Sequence, residues 1–309
     1  MNAQATRCGY IALIGAPNAG KSTLLNALVG SKVAIVSPKV QTTRARLTGI
    51  AIADESQIIF VDTPGIFTPK RRLERAMVDD AWSGAGDADV IALLVDARRP
   101  VRASNDDTQV ILDALKSRGK QAILVINKVD AVERPVLLAL AEKLNAETLD
   151  RGGPLFSDVF MISALTGDGV PDLGTFLAKA VPEGPWLYPE DQIATAPMRY
   201  LAAEITREKL FLNLHQELPY QLTVETEAWE EREDGSAKIS QVVYVTRANH
   251  KGIVLGKGGA LIKKVGEAAR KDLEKQMERR VHLFLFVKVR ENWLDDPERY
   301  REMGLDFPK

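Results

Sequence analysis

An eight-residue loop near the N-terminus constrains the fold more than any other feature of the chain. An apolar run at residues 10–14 precedes it, and a helical pattern begins near Lys21. A strand, a glycine-containing loop and a helix in this order match the phosphate-binding pattern G-x-x-x-x-G-K-[ST]. The backbone N–H groups of such a loop and the positive end of the helix bind an anionic polyphosphate. The loop residues are Gly15, Ala16, Pro17, Asn18, Ala19, Gly20, Lys21 and Ser22.

Two side chains of this loop carry the expected chemistry. Lys21 would reach the β- and γ-phosphates, and Ser22 would supply an oxygen ligand to Mg²⁺. A chance glycine turn at the start of a helix is the alternative interpretation. The specific spacing and the preceding strand favour the phosphate loop.

Length, charge and cysteine content limit the class of protein to which the chain can belong. The 309 residues suffice for two domains, and 41 basic and 42 acidic residues give a net charge of −1. The single cysteine, Cys8, excludes a disulfide framework and suits a reducing compartment. We find no signal-type segment at the N-terminus and no transmembrane segment. We therefore expect a cytoplasmic protein.

Residues 1–181 are expected to form one α/β domain. Short, continuous apolar runs predict strands that are covered on both faces, and the segments between them are mostly long enough for crossover helices. The fold class is a mostly parallel sheet with helices on both sides, and residues 47–52 would add an antiparallel edge strand. Ligands of such sheets bind at the carboxyl ends of the strands. The runs lie at residues 10–14, 58–61, 90–95, 122–126 and 159–162.

The sequence D-T-P-G follows the second run. The Asp62 carboxylate would hold the Mg²⁺ shell, and the Gly65 N–H would reach a γ-phosphate with no side chain in the way. Loss of that phosphate would release the loop, which is the basis of a switch. Alone the motif predicts a turn, but it stands about forty residues after a phosphate loop. It comprises Asp62, Thr63, Pro64 and Gly65.

An N-K-V-D motif follows the fourth run and predicts guanine recognition. The Asp130 carboxylate would accept two hydrogen bonds from guanine, whereas adenine lacks the exocyclic amine and would leave the carboxylate unpaired. Asn127 would brace the pocket, and the Lys128 stem would lie along the base. Ser163 and the Ala164 N–H, after the fifth run, would complete the pocket. The motif itself is Asn127, Lys128, Val129 and Asp130.

Two adjacent threonines compete for one further role. A threonine between the phosphate loop and Asp62 is expected to close over Mg²⁺ and the γ-phosphate. We favour Thr43, with Thr42 as the second candidate.

The second half departs from the alternating pattern. Three prolines and a glycine predict a linker at residues 182–192, and a second domain then covers residues 193–309. Its predicted order is helix, strand, strand, helix, helix, strand. In the first helix, Leu201, Ile205, Leu210, Leu212 and Leu214 are expected to share one buried face.

A G-x-x-G loop lies between the last two helices. With this order of elements it matches a type II KH domain, which binds about four single-stranded bases. Residues 241–290 contain 12 Lys and Arg but only 4 Asp and Glu, so the region has a local positive charge. Solubility of the helices would explain about half of these charges. The expected RNA contacts are Gly256, Lys257, Gly258, Gly259, Lys251, Lys263 and Lys264.

The four motifs of the first domain, in this order, resemble the translation-factor-related, Ras-like GTPases. G-x-P-N-x-G-K-S, Q-T-T-R, D-T-P-G-I and N-K-V-D, followed by the KH pattern, resemble the Era family of bacterial ribosome-assembly GTPases over nearly the whole chain. The resemblance implies a Ras-like G domain and a type II KH domain. It implies GTP, GDP and Mg²⁺ as ligands, and small-subunit (16S) ribosomal RNA and the 30S subunit as partners.

Two positions depart from the Ras pattern. Ile66 stands where Ras-type enzymes carry a water-orienting glutamine, so intrinsic hydrolysis is expected to be slow. By resemblance, Asn18 would help to bind K⁺ near the β- and γ-phosphates, and K⁺ would stimulate hydrolysis. An asparagine that only shapes the turn is the alternative.

Together these patterns predict a GTP-hydrolysing switch that binds the 3′ region of 16S ribosomal RNA and acts in 30S maturation. The expected catalytic residues are Lys21, Thr43, Gly65 and Asn18, and the expected metal ligands are Ser22, Thr43 and Asp62. We expect a monomer, with peripheral membrane association left open because basic patches can mediate it. Two alternatives remain: a second domain that binds a protein or another RNA, and a hydrolase with metabolic or tRNA-modifying activity.

Overall fold

The computed structural model describes residues 6–99, 106–291 and 293–308. Its contacts divide the chain into two compact units. The first comprises Met1–Ala34, Thr43–Thr195 and Gly304–Lys309, and the second comprises Ile35–Thr42 and Ala196–Met303. The short segment Ile35–Thr42 thus belongs with the second unit, although the sequence analysis places it within residues 1–181.

One sheet of six strands forms the centre of the first unit, in the order β2-β3-β1-β4-β5-β6. All neighbouring strands are parallel except β2 and β3, which are antiparallel. The predicted mostly parallel sheet and its antiparallel edge strand are confirmed. The strands are β1 (Arg7–Gly15), β2 (Leu47–Ala53), β3 (Ser56–Asp62), β4 (Val90–Asp96), β5 (Ala122–Asn127) and β6 (Phe156–Ile162).

Helices connect the parallel strands of this unit. Strands β3 and β5 are buried at every residue, which explains their continuous apolar sequences. The carboxyl ends of β1, β3, β4 and β5 meet at one edge, where polar residues follow each of them. The helices are α1 (Lys21–Val29), α2 (Arg72–Asp87), α3 (Asp107–Arg118), α4 (Arg134–Asn145) and α5 (Val170–Ala180).

The second unit has the predicted order of elements. Its three strands form a sheet in the order β7-β8-β9, in which β7 and β8 are antiparallel and β8 and β9 are parallel. Two helices cross between the parallel strands. The elements are α6 (Met198–Asn213), β7 (Leu222–Glu231), β8 (Ala237–Val245), α7 (Ala248–Leu255), α8 (Ala260–Met277), β9 (Val281–Val289) and α9 (Pro297–Glu302).

Helix α6 has two buried faces, so the expectation of a single face is wrong. Leu201 and Ile205 lie in one cluster of buried residues, and Leu210 and Leu214 lie in another. At 100° per residue these two pairs point in opposite directions. Leu212 points the same way as Leu201 but lies beyond the end of that cluster, and it is 45% exposed.

Every helix in the described ranges falls short of the length and apolar character that a bilayer crossing requires.

Candidate functional site

The phosphate loop joins β1 to α1 and holds a buried lysine. The Lys21 ammonium donates hydrogen bonds to the carbonyl oxygens of Gly15, at 3.0 Å, and Ala16, at 3.2 Å. Gly20 has φ = 103°, and a Cβ there would lie 2.2 Å from the side-chain nitrogen of Asn127. Glycine is therefore required at this position by both backbone conformation and space.

Three oxygen-bearing side chains meet beside the loop. The Ser22 hydroxyl donates to Asp62 Oδ2 at 2.6 Å and lies 2.9 Å from the Thr43 hydroxyl, which is 3.4 Å from the same carboxylate oxygen. The Thr42 hydroxyl instead donates to the Lys39 carbonyl and lies 2.6 Å from Ser37 Oγ. Of the two threonines, Thr43 is the one that lies at the site.

Burial shifts the ionisation of the central pair. Burial raises the pKa of Asp62 to about 6, although the charge of Lys21 and the hydroxyls of Ser22 and Thr43 act to lower it. Burial lowers the pKa of Lys21 to about 8, although Asp62 opposes this. The ionised Asp62 carboxylate therefore lowers the stability of the folded protein relative to the unfolded chain.

This donor set fits Mg²⁺. Within the described part of the chain, the buried Asp62 Oδ1 accepts no hydrogen bond. Mg²⁺ prefers oxygen ligands to nitrogen or sulfur ligands. The site offers it a carboxylate oxygen that accepts no hydrogen bond and two neighbouring hydroxyl groups. Ser22, Thr43 and Asp62 can therefore serve the ion directly or through its water shell.

The raised pKa predicts an unusual result for Asp62→Asn. In the absence of nucleotide and Mg²⁺, the variant should be more stable than the wild type at pH 7.5 by about 1–3 kcal/mol, because each pKa unit is worth about 1.4 kcal/mol. The amide oxygen can still accept the hydrogen bond from Ser22. Urea unfolding at several pH values measures the difference.

The pH dependence of that difference has a defined sign. The folded-state pKa of Asp62 is raised from 3.8 to about 6. Well below pH 3.8 the carboxyl is protonated in both folded and unfolded chains, so the variant gains nothing there. The gain should grow between pH 4 and 6 and then stay constant. A wild type that is more stable at pH 7.5 would contradict this account.

The D-T-P-G residues pack tightly against the phosphate loop. The Thr63 hydroxyl donates to the Leu13 carbonyl at 2.8 Å, and the Ile66 N–H donates to the Gly15 carbonyl at 3.1 Å. A Cβ on Gly65 would lie 2.9 Å from Pro17. Pro64 is buried, and so is Ile66, which lies in the core at 1% exposure. An apolar core side chain cannot orient an attacking water.

Asn127 ties three loops together. Its side-chain nitrogen donates to the Ala19 carbonyl at 2.8 Å. Its side-chain oxygen accepts from the N–H groups of Lys128, at 2.8 Å, and Ala164, at 2.9 Å. The bracing of the phosphate loop by Asn127 is thus present in the structure. Buried Ser163 holds the turn that follows, since its hydroxyl accepts from the Thr166 N–H.

Lys128 is fixed at both ends. Its backbone is left-handed, with φ = 70°. Its ammonium donates to the Asn18 carbonyl and, at 2.8 Å, to Asp96 Oδ2. Val129 and Asp130 form a short 3₁₀ turn next to it, and the Asp130 side chain is exposed at the rim.

The sequence analysis missed Asp96. Burial acts to raise the pKa of this carboxyl, but hydrogen bonds from Arg98 and Lys128 lower it to about 2. Asp96 directly follows the apolar run at residues 90–95. Its position at the carboxyl end of β4 is the signal in the sequence that points to it, because Asp62 and Asn127 end their strands at the same edge of the sheet.

The G-x-x-G loop joins α7 to α8 in the second unit. Gly256, Gly258 and Gly259 have φ = 74°, 60° and 79°. A Cβ on Gly256 would also lie 2.8 Å from Leu261 Cβ. Lys257 is exposed at the tip. The loop therefore exposes backbone in a conformation that other residues would strain.

The basic residues of this unit fall into two groups. Arg270 pairs with Glu274 and Lys271 with Glu267 along α8. The second group is exposed and, in the described residues, forms no ion pair, which leaves it available to an anionic partner. It includes the four lysines expected to contact RNA, Lys251, Lys257, Lys263 and Lys264.

Family models match both units. Residues 10–128 match the family described as "50S ribosome-binding GTPase", and residues 217–294 match the KH domain. The chain is 62% identical over 304 residues to the GTPase Era of Sinorhizobium medicae, covering 98% of this chain and 95% of that protein. It is 59% identical over 307 residues to the GTPase Era of Afipia carboxidovorans, covering 99% and 97%.

Two solved structures overlay on nearly the whole chain. One is Era in complex with MgGDPNP and nucleotides 1506–1542 of 16S ribosomal RNA, at 38% identity and a TM-score of 0.86. The other is an Aquifex aeolicus Era variant bound to GDP·AlF₄⁻, at 37% identity and the same TM-score. Each covers 97% of this chain and 99% of the solved one.

Proposed function

The chain belongs to the Era family of GTPases, and from this premise we propose that it couples GTP binding and hydrolysis to binding of the 3′ region of 16S ribosomal RNA during 30S maturation. One observation carries the proposal. A solved relative with MgGDPNP and nucleotides 1506–1542 of 16S ribosomal RNA matches this chain across both units. The residues of both sites described above are present in the expected order.

The nucleotide site is proposed to work by positioning and electrostatics. The backbone of residues 15–22 would hold the phosphates, with Lys21 at the β- and γ-phosphates. Ser22, Thr43 and Asp62 would hold Mg²⁺, which would neutralise part of the phosphate charge. The Gly65 N–H would bind the γ-phosphate and lose this contact after hydrolysis. Because Ile66 cannot hold a water, intrinsic hydrolysis should be slow.

Guanine specificity is proposed to reside in Asp130. Its carboxylate would accept from the ring N–H and from the exocyclic amine of guanine. Lys128, fixed by Asp96 and the Asn18 carbonyl, offers its stem as a flat support for the base. Asn127 connects this pocket with the phosphate loop, so base and phosphate contacts form one rigid site.

Asn18 is proposed to bind K⁺ beside the phosphates. GTP hydrolysis by the wild type should then be several-fold faster in KCl than in NaCl at equal ionic strength, since a fixed cation stabilises developing phosphate charge. Asn18 has φ = 64°, so Asn18→Gly keeps the backbone conformation and removes only the side chain. That variant should lose the K⁺ stimulation. Equal wild-type rates in both salts would assign Asn18 to the turn alone.

The four exposed lysines are proposed to contact RNA phosphates. In a filter-binding titration, log affinity for nucleotides 1506–1542 should fall with log salt, and Lys257→Ala should reduce the slope by about 0.7, the contribution of one contact to a single strand. Lys271→Ala is the matched control, because Lys271 is paired with Glu267. Equal effects of both substitutions would remove Lys257 from the interface.

The same titration separates the rival functions. RNA binding without salt dependence, or no RNA binding, would favour a second unit that binds protein. Cross-linking that recovers other RNAs would favour a different RNA partner. A cytoplasmic location and a monomeric state stay predictions, and peripheral attachment at the inner face of the membrane stays an open alternative.

A further inference from the structure

Buried Asp96 holds two cations beside the guanine pocket. Its Oδ1 accepts hydrogen bonds from the Arg98 backbone N–H, at 3.1 Å, and from Arg98 Nε, at 3.0 Å. Its Oδ2 accepts from Arg98 Nη2 and from the Lys128 ammonium, both at 2.8 Å. The Asp96 side chain is 4% exposed, and the strand register places it beside Asn127. One carboxylate thus fixes the direction of two positive side chains.

Asp130 is a carboxylate of the opposite kind. Its side chain is exposed, and it forms no hydrogen bond or ion pair with another residue for which the structure gives a position. The pKa of the Arg98 guanidinium is raised mainly by its hydrogen bonds to Asp96, and the charge of Asp130 raises it further. Arg98 therefore lies within electrostatic range of the carboxylate that is proposed to bind guanine.

Guanine recognition requires that Asp130 be unpaired. Its carboxylate is proposed to accept hydrogen bonds from the ring N–H and from the exocyclic amine, which uses both of its oxygens. A cation paired with Asp130 would have to leave before the base could bind, so the affinity for guanine would fall. The Arg98 side chain is half-exposed, and without Asp96 it would be free to turn toward Asp130.

We propose that Asp96 is a positioning residue of the guanine pocket, which keeps Arg98 away from Asp130 and holds the Lys128 stem in place for the base. The inference rests on the proposed function of the nucleotide site and adds to that site a residue outside the N-K-V-D motif. The two tasks act differently on affinity. Lys128 would support any purine, whereas an unpaired Asp130 selects the base that carries the exocyclic amine.

The ratio of GDP to XDP affinity tests the proposal. Xanthine carries a carbonyl in place of the exocyclic amine, so an unpaired Asp130 disfavours it, whereas a cation beside Asp130 favours it. Asp96→Asn keeps the side-chain volume and removes the charge. In this full-length variant the ratio should fall about tenfold, because an exposed ion pair changes each affinity by up to about fivefold. Competition against a fluorescent GDP analogue, with Mg²⁺, measures both affinities.

Removal of Arg98 gives a result that a purely structural role of Asp96 would not produce. The double variant Asp96→Asn/Arg98→Gln lacks the competing cation, so it should regain most of the wild-type ratio. Both affinities should stay low in the double variant, because Lys128 is still released. Arg98→Gln alone should keep the ratio within about twofold of the wild type, since Asp130 is unpaired in both proteins.

A further variant covers the case in which Asp96→Asn does not fold. Arg98→Lys leaves the buried carboxylate in place and keeps the positive charge, but a single ammonium cannot grip both oxygens of Asp96 as the guanidinium does. It should lower the ratio about twofold to threefold. Glu147→Gln is the matched control, because Glu147 pairs with Lys116 of α3 in the same unit, and it should leave the ratio unchanged.

The outcomes separate this role from the proposed function. A wild-type ratio in Arg98→Lys or in folded Asp96→Asn would overturn the role of Asp96. A lowered ratio in Asp96→Asn that Arg98→Gln does not restore, or an equal change in Glu147→Gln, would overturn it as well. A wild type without a preference for GDP over XDP would instead overturn the proposed guanine site.

Discussion

Asp130→Asn should reverse the base preference of the nucleotide site from guanosine to xanthosine. The variant should bind GDP at least about a hundredfold more weakly, since an amide cannot accept from both guanine donors. Xanthine carries a carbonyl in place of the exocyclic amine, and the asparagine N–H₂ can donate to it. XDP affinity should therefore rise as GDP affinity falls.

The reversal, rather than the loss alone, is the informative result. Asp130 lies exposed at the rim, so the substitution leaves the core intact. Asp150→Asn, another exposed carboxylate of the same unit, is the matched control and should change neither affinity. Direct binding of fluorescent GDP and XDP analogues measures both. Unchanged selectivity in Asp130→Asn would place the base pocket elsewhere.

Lys21→Met should abolish tight binding of guanine triphosphate. The Lys21 ammonium is buried within the loop, where it donates hydrogen bonds to the carbonyls of Gly15 and Ala16. We expect GDPNP affinity to fall by about two to three orders of magnitude, as for loss of a buried charge-assisted contact to phosphate. GTP hydrolysis should fall at least as far.

A methionine of similar length limits the change to the charge. Exposed Lys120 supplies the control, and Lys120→Met should bind GDPNP like the wild type. Calorimetric titration of both variants with GDPNP and Mg²⁺ measures the effect. A Lys21→Met variant that keeps GDPNP affinity within a few-fold of the wild type would contradict the assignment of the phosphate loop.

Most of the first unit could be predicted because its signals are local. Buried parallel strands must be continuously apolar, so the runs at residues 58–61 and 122–126 identify them directly. The polar residues that bind a ligand at the edge of the sheet then stand at the strand ends or in the loops that follow them. The positions of Asp62 and Asn127 followed from that rule. Asp96 lies at the same edge but belongs to none of the four motifs from which the site was predicted.

Features that depend on distant contacts could not be predicted. Nothing in the sequence of Ile35–Thr42 indicates that it belongs with helix α6, about 170 residues later. The choice between Thr42 and Thr43 could not be predicted either, because it depends on one hydroxyl lying in a local turn and the other lying beside Ser22. Likewise, the two buried faces of α6 follow from two packing clusters that periodicity alone does not separate.

The most direct test of the central claim is the affinity of the full-length protein for nucleotides 1506–1542 of 16S ribosomal RNA, measured with Mg²⁺ and either GDPNP, GDP, an adenine triphosphate analogue or no nucleotide. We predict that GDPNP and GDP give RNA affinities that differ severalfold, and that the adenine analogue gives the same RNA affinity as no nucleotide. An RNA affinity that is identical in all of these conditions would contradict a guanine-nucleotide switch acting on RNA.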